Sequence, residues 1–247
     1  MPVEGPGGQL PLALPARAAT GRADFVVSGS NRTALAQVDA WRARPGGALA
    51  LTGPEGAGKS HLAAVFAAES GAAVLGGEAL AGMAPGSEAL RAPARAPALA
   101  LEDADRALAE GGAAAEQGLF HLIGVLGAAG RPLLLTARAA PARWGVALPD
   151  LATRLAALPV ARLAPPDDAL MEALAAKLFA DRQIRVEPGL PRYLALRVER
   201  SHAALAAAVA TLDRAGLARG RPVTRRLAAE ILGRDDAADM EPSSPTR

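Results

Sequence analysis

Residues 53–60 read GPEGAGKS. Glycine, four residues, then Gly-Lys-Ser is the pattern of a loop that wraps phosphate. Gly53, Gly56 and Gly58 let the backbone turn tightly and aim its amides at an anion, with Pro54, Glu55 and Ala57 between them. Lys59 is placed to reach the β- and γ-phosphates of a nucleotide, and Ser60 to hold Mg²⁺. A chance glycine turn is the competing reading. The context opposes it, because an apolar run, ALALT, precedes the loop and a helical pattern, KSHLAAVFAAES, follows it. The chain contains only two lysines, Lys59 and Lys177, and otherwise uses arginine. A lysine kept at position 59 therefore hints at a specific role there.

Two acids, Glu102 and Asp103, close a second apolar run, ALAL. In phosphate-loop proteins an acid at this place contacts Mg²⁺ and a second can orient an attacking water. The alternative is a helix-capping acid after a strand. Glutamate stands where aspartate is usual, which predicts weak hydrolysis at the chain's own site. Thr136 ends a third run, LLLT, within reach of a γ-phosphate or water. The three histidines, His61, His121 and His202, fall on separate helical stretches without metal-ligand spacing.

These residues need elements to position them. Strands are expected over 48–53, 72–77, 98–105, 131–138 and 159–163. Helices are expected over 31–43, 59–70, 116–130 and 148–158. Strands alternating with helices predict an α/β fold, a parallel sheet flanked by helices. After APPDD (164–168) helices follow without strands, which predicts a small all-helical domain. The boundaries read as an arm over 1–22, an α/β nucleotide domain over 23–164, a helical domain over 165–233 and a disordered tail over 234–247. Residues 81–97 read as loose.

Composition removes several classes. There is no cysteine, which excludes disulfides and thiolate metal sites and is compatible with a reducing cytoplasm. Aromatics are 3% of the chain, too few for a base-stacking platform. The net charge is +2, and no concentrated basic run is visible along the sequence. No stretch is long and apolar enough to suggest a membrane partner.

Together the motifs resemble the DnaA family of AAA+ ATPases. GKSHL (58–62) is similar to that family's Gly-Lys-Ser/Thr-His-Leu. FVVSGSNRTAL (25–35) is similar to its segment before the first strand, and LFHLIGVLGAAGRPLLLTARAAPARW with LPDLATRL continues the match. The resemblance implies an AAA+ nucleotide domain followed by a helical lid, ADP or ATP with Mg²⁺ as cofactors, and Asn31, Arg32 and His61 among the nucleotide-binding residues. It implies an arginine finger at Arg154, facing a neighbour's nucleotide, and a lid arginine at Arg200 touching phosphate in cis. A surface salt bridge is the alternative for Arg154.

One further segment needs a partner. QLPLAL, residues 9–14, carries Gln9, Leu10, Leu12 and Leu14 ahead of the first expected core element. The segment could pack back on the domain. Regulatory members of the DnaA family carry a similar Gln-Leu-x-Leu-x-Leu motif that binds the DNA polymerase sliding clamp. The sequence also runs only to residue 247, without room for the initiator's DNA-binding domain. The resemblance therefore implies a cytoplasmic negative regulator of replication initiation. Its partners would be the initiator DnaA, the clamp, and DNA indirectly through the clamp, with a homo-oligomer as a further possibility. A DNA-binding helicase loader and a self-assembling ATPase are the rivals.

Overall fold

The computed structural model describes residues 21–238. QLPLAL, with Gln9, Leu10, Leu12 and Leu14, lies outside the described residues, as do residues 239–247. The α/β part contains β1 (Ala48–Thr52), β2 (Ala73–Gly76), β3 (Leu99–Glu102), β4 (Leu133–Ala137) and β5 (Val160–Arg162), with α1 (Arg32–Arg42), α2 (Lys59–Ser70), α3 (Glu88–Arg91), α4 (Ala104–Ala128) and α5 (Pro149–Ala156). The helical part contains α6 (Asp168–Asp181), α7 (Leu190–Ala195), α8 (His202–Arg219) and α9 (Arg225–Ala238).

The strands form one sheet in the order β2-β3-β4-β1-β5. Every pairing is parallel, with Ala48 beside Leu133, Leu99 beside Leu133, Ala73 beside Leu99 and Ala50 beside Val160. All five residues of β1 and of β4 are buried, because helices cover both faces. Side chains alternate between the two layers. Leu133 and Leu135 enter the core with Leu119, Leu122, Leu151 and Leu155 of α4 and α5. Leu134 enters the opposite core with Leu35, Val38, Leu62 and Phe66 of α1 and α2. The helical part has its own core, built on Met171, Phe179, Leu190, Leu194, Leu205 and Leu212.

Three elements depart from the expected pattern. The strand predicted over 98–105 stops at Glu102, because Asp103 takes a left-handed conformation (φ 52°) and starts α4. The helix predicted over 116–130 therefore begins at Ala104 and bends at Gly112, whose φ of 52° and ψ of −140° only glycine adopts cheaply. Helix α9 continues through Ala238, past residue 234 where the tail was expected to begin. The stretch over 81–97 is broken by short helical turns, α3 among them.

The lid is tied to the α/β part at several points. The Ser30 N–H donates to Asp167 Oδ2 at 3.2 Å, and Ala164 N–H donates to Ser30 O at 3.2 Å. The other Asp167 oxygen caps α6 by accepting from Leu170 N–H at 2.7 Å. Lys177 Nζ, on α6, pairs with Asp24 at 2.8 Å across the joint and with Asp181 at 3.0 Å.

Candidate functional site

Residues 53–60 bridge the buried end of β1 to the first turn of α2. Gly56 (φ 74°) and Gly58 (φ 93°) occupy the left-handed region. A Cβ on Gly53 would come 2.7 Å from the Leu163 carbonyl oxygen, so this first turn closes only on glycine. A Cβ on Gly56 would come 2.6 Å from Ser201 Cβ and 3.4 Å from Arg200 O. The lid thus touches the loop where α8 begins. Gly58 is the N-cap of α2, and Leu62 N–H donates to its carbonyl at 3.0 Å, which leaves the amides before Leu62 at the positive end of a twelve-residue helix.

Lys59 is buried, and its Nζ donates to Gly53 O and Pro54 O, both at 2.9 Å. Burial pushes its ammonium below the ordinary lysine value; Asp103 pulls it back, and Arg138 adds to the depression. The amine is therefore curled over the loop without a carboxylate of its own. Ser60 follows with an exposed side chain.

Glu102 stands at the end of β3, with Oε1 buried and without a hydrogen-bond partner among the described residues. Thr136, on the neighbouring strand, is 1% exposed, and its hydroxyl accepts from Asp103 N–H at 3.0 Å. The left-handed turn at Asp103 is thereby fastened to β4. The Asp103 carboxylate meets Arg106 at 3.1 Å. Sequence reasoning missed Asp105. One of its oxygens accepts from Arg138 N–H at 2.8 Å and Ala139 N–H at 3.2 Å, which fixes the chain leaving β4. Arg138 in turn reaches Glu55 of the loop at 2.8 Å. Loop amides, a buried ammonium and an exposed hydroxyl form a donor set that suits a polyphosphate, and Ser60 and Glu102 are the residues that would hold an accompanying Mg²⁺.

The other expected residues are distributed around this end. Asn31 is buried, and its amide is engaged by its own loop: Oδ1 accepts from Ser28 N–H at 2.9 Å and Nδ2 donates to Val26 O at 2.8 Å. Its direct role is to shape the segment 26–31. Arg32 is exposed at the start of α1. His61 meets the Phe25 ring edge-on at 5.2 Å, with Nε2 buried and unpartnered among the described residues. Burial, with His202 of the lid adding to it, lowers its pKa. Arg200 pairs with Asp168 at 2.6 Å and donates to Pro166 O at 3.2 Å, so its guanidinium lies at the lid joint.

Arg154 is elsewhere. It sits in the last turn of α5, just before β5 begins at the edge where the parallel strands start, whereas the phosphate loop lies where they end. Its guanidinium lies 4.4 Å from the centre of the Phe120 ring of α4. It is exposed and makes no ion pair among the described residues. The carboxylate of Glu116, also on α4 and buried, accepts from Ala147 N–H at 2.9 Å and from Leu148 N–H at 2.7 Å. Leu148 is the N-cap of α5 and has no side-chain cap of its own, so Glu116 supplies one from another helix.

No protein-family model and no curated protein matches the chain. Solved structures do match. Domain III of the replication initiation protein DnaA from Thermotoga maritima is similar with a TM-score of 0.76 at 19% identity, over 90% of this chain and 98% of that one. AMPPCP-bound DnaA from Aquifex aeolicus gives 0.70 at 16% identity, over 90% of this chain and 71% of that one. A replication initiator DnaA bound to AMPPCP and single-stranded DNA gives 0.66 at 16% identity, over 83% and 69%. The parallel five-stranded sheet, the glycine-rich loop after β1 and the helices that follow β5 thus share the fold of DnaA domain III.

Proposed function

We propose that this chain is an Hda-like regulator of replication initiation. It binds ADP or ATP with Mg²⁺ in the loop 53–60, holds the sliding clamp through Gln9, Leu10, Leu12 and Leu14, and stimulates hydrolysis of ATP carried by DnaA through Arg154. The observation that carries the reading is the placement of Arg154. A guanidinium that is exposed, unpaired among the described residues and remote from its own phosphate loop is suited to a neighbour's nucleotide. Its planar fork matches the charge that develops on a transferring phosphoryl group.

The chain's own site serves a different purpose in this reading. Lys59 and the loop amides bind phosphate, and the lid, touching the loop at Gly56, encloses the ligand. A nucleotide held there is mainly structural. The described residues include no helix long and apolar enough to cross a membrane; a clamp loaded on DNA would bring the protein to its target.

The test is hydrolysis of radiolabelled ATP pre-bound to DnaA, measured with and without this protein, the clamp and DNA. Stimulation that requires all three supports the reading. Changing Gln9, Leu10 and Leu12 together to Ala should remove clamp binding and the stimulation while ADP affinity stays normal. Rapid ATP turnover by the isolated chain would instead favour a self-assembling motor.

A further inference from the structure

The lid carries a charge that the whole-chain total conceals. Residues 182–226 hold ten arginines against three acids, Glu187, Glu199 and Asp213, whereas the entire chain is only +2. The flanking lid segments, 165–181 and 227–233, are acidic, so that the helical part as a whole carries eleven basic residues against eight acids and the excess is confined to this stretch. All ten arginines except Arg182 are exposed. Two of them are matched to acids, Arg200 with Asp168 and Arg219 with Glu230. The Glu187 carboxylate is turned to the backbone N–H of Arg225, at 2.5 Å.

The helices gather these groups although the sequence separates them. Tyr193 of α7 has the Arg197 guanidinium 4.0 Å from its ring centre and that of Arg225, in the first turn of α9, at 5.1 Å. Arg221 and Arg226 line one shallow depression with Thr224 beside the same turn, together with Glu230, whose carboxylate is held by Arg219 at 2.9 Å. Two exposed guanidiniums thus flank Tyr193 where α7 approaches α9, and two more line the depression beside the first turn of α9.

We infer that this lid surface binds the phosphate backbone of nucleic acid directly. The chemistry favours that partner over an acidic protein. Protein interfaces centre on desolvated aromatic or apolar anchors. Here the only aromatic residue of the lid core's rim, Tyr193, is covered by guanidiniums, and the exposed apolar side chains Leu196 and Leu217 are single residues rather than a patch. Arginine forks suit phosphate oxygens. With no bare ring offered for stacking, the contact reads backbone charge and not base sequence.

The experiment is fluorescence anisotropy of a labelled random-sequence DNA duplex with the full chain across a salt series. Four phosphate contacts predict a loss of about 100-fold in affinity between about 50 and 200 mM salt, from a slope of roughly −0.9 per contact. The variant combining Arg197→Gln, Arg221→Gln, Arg225→Gln and Arg226→Gln should bind far more weakly and lose most of that slope. Arg221→Gln with Arg226→Gln leaves the Tyr193 stack intact and should remove about half of the slope. ADP affinity serves as the folding control for both variants. The inference is overturned if the duplex does not bind at low salt, if a folded four-site variant binds with the parent's slope, or if poly-glutamate of matched charge displaces the duplex as well as unlabelled DNA does.

Discussion

The phosphate loop and the Arg154 surface contrast in how complete they are. Around residues 53–60 one chain supplies a set of converging groups: turned glycines, a buried ammonium, a carboxylate oxygen and a lid seated on the loop. Around Arg154 the chain supplies one guanidinium and its mounting, Phe120 beneath it and Glu116 holding the start of its helix. In the proposed function the first arrangement binds a ligand by itself, whereas the second supplies one partner's share of a site.

Removing the guanidinium should break this contrast most severely. Fingers supplied in trans are worth about 10³ to 10⁵ in rate, or about 4 to 7 kcal/mol. Arg154→Ala should lose stimulation of DnaA-bound ATP hydrolysis on that scale while ADP binding is unchanged. Arg154→Lys should restore little, since one ammonium cannot copy the fork. Full stimulation by folded Arg154→Ala would leave Arg138 or Arg143 as the next residues to examine.

On the other side, Lys59→Ala should weaken ADP binding without touching the trans surface. Charge-assisted hydrogen bonds contribute about 1.5–3 kcal/mol, so titration calorimetry should show roughly a 10- to 100-fold weaker affinity. An unchanged affinity would mean that the loop amides suffice.

Glu116 sharpens the comparison because it serves the Arg154 side only through structure. Glu116→Ala strands the Ala147 and Leu148 N–H groups, at about 1–3 kcal/mol for each one left unsatisfied. Thermal unfolding should shift downward accordingly. Stimulation at a temperature where the variant is folded should fall further than ADP affinity does. Equal losses in both would mean that Glu116 supports the whole domain and not α5.

The smallest effect concerns acid. His61 and His202 face each other's parts across the lid joint, with Asp24, Lys177 and Arg182 as the charged groups they feel. Burial lowers both imidazole pKa values, so at mildly acidic pH the unfolded chain binds protons that the folded chain refuses. Stability is therefore full above the ordinary imidazole value of about 6.5 and declines as pH falls through it. Unfolding midpoints across that range should flatten in His61→Gln combined with His202→Gln. A slope that persists would point to other groups.

The sheet and the turn of the glycine loop between β1 and α2 were legible because their signals are local: a glycine pattern, a short apolar run before it and a helical run after it. The first half of α4 was not, since ADRALAEGGAAA combines weak amphipathic spacing with a glycine pair, and only packing makes it helical. Asp105 and Glu116 were missed for another reason. Their backbone partners lie more than thirty residues away, at Arg138, Ala147 and Leu148. Asn31 was recognised as special, but its spacing could not show that its amide would be engaged by Ser28 and Val26. The arginine surface escaped a search for basic runs because α7 and α9 assemble it from separate stretches.

The scarcity of lysine has a practical outcome. One lysine lies over the phosphate loop and the other spans the lid joint to Asp24. An amine-reactive label therefore has two lysine side chains to report on, each guarded by a different event. If the loop takes a nucleotide as proposed, modification at Lys59 would fall when the ligand is added, and modification at Lys177 would follow its pairing with Asp24. Peptide masses from a single labelling time course would read the two positions separately, without adding a probe to the chain.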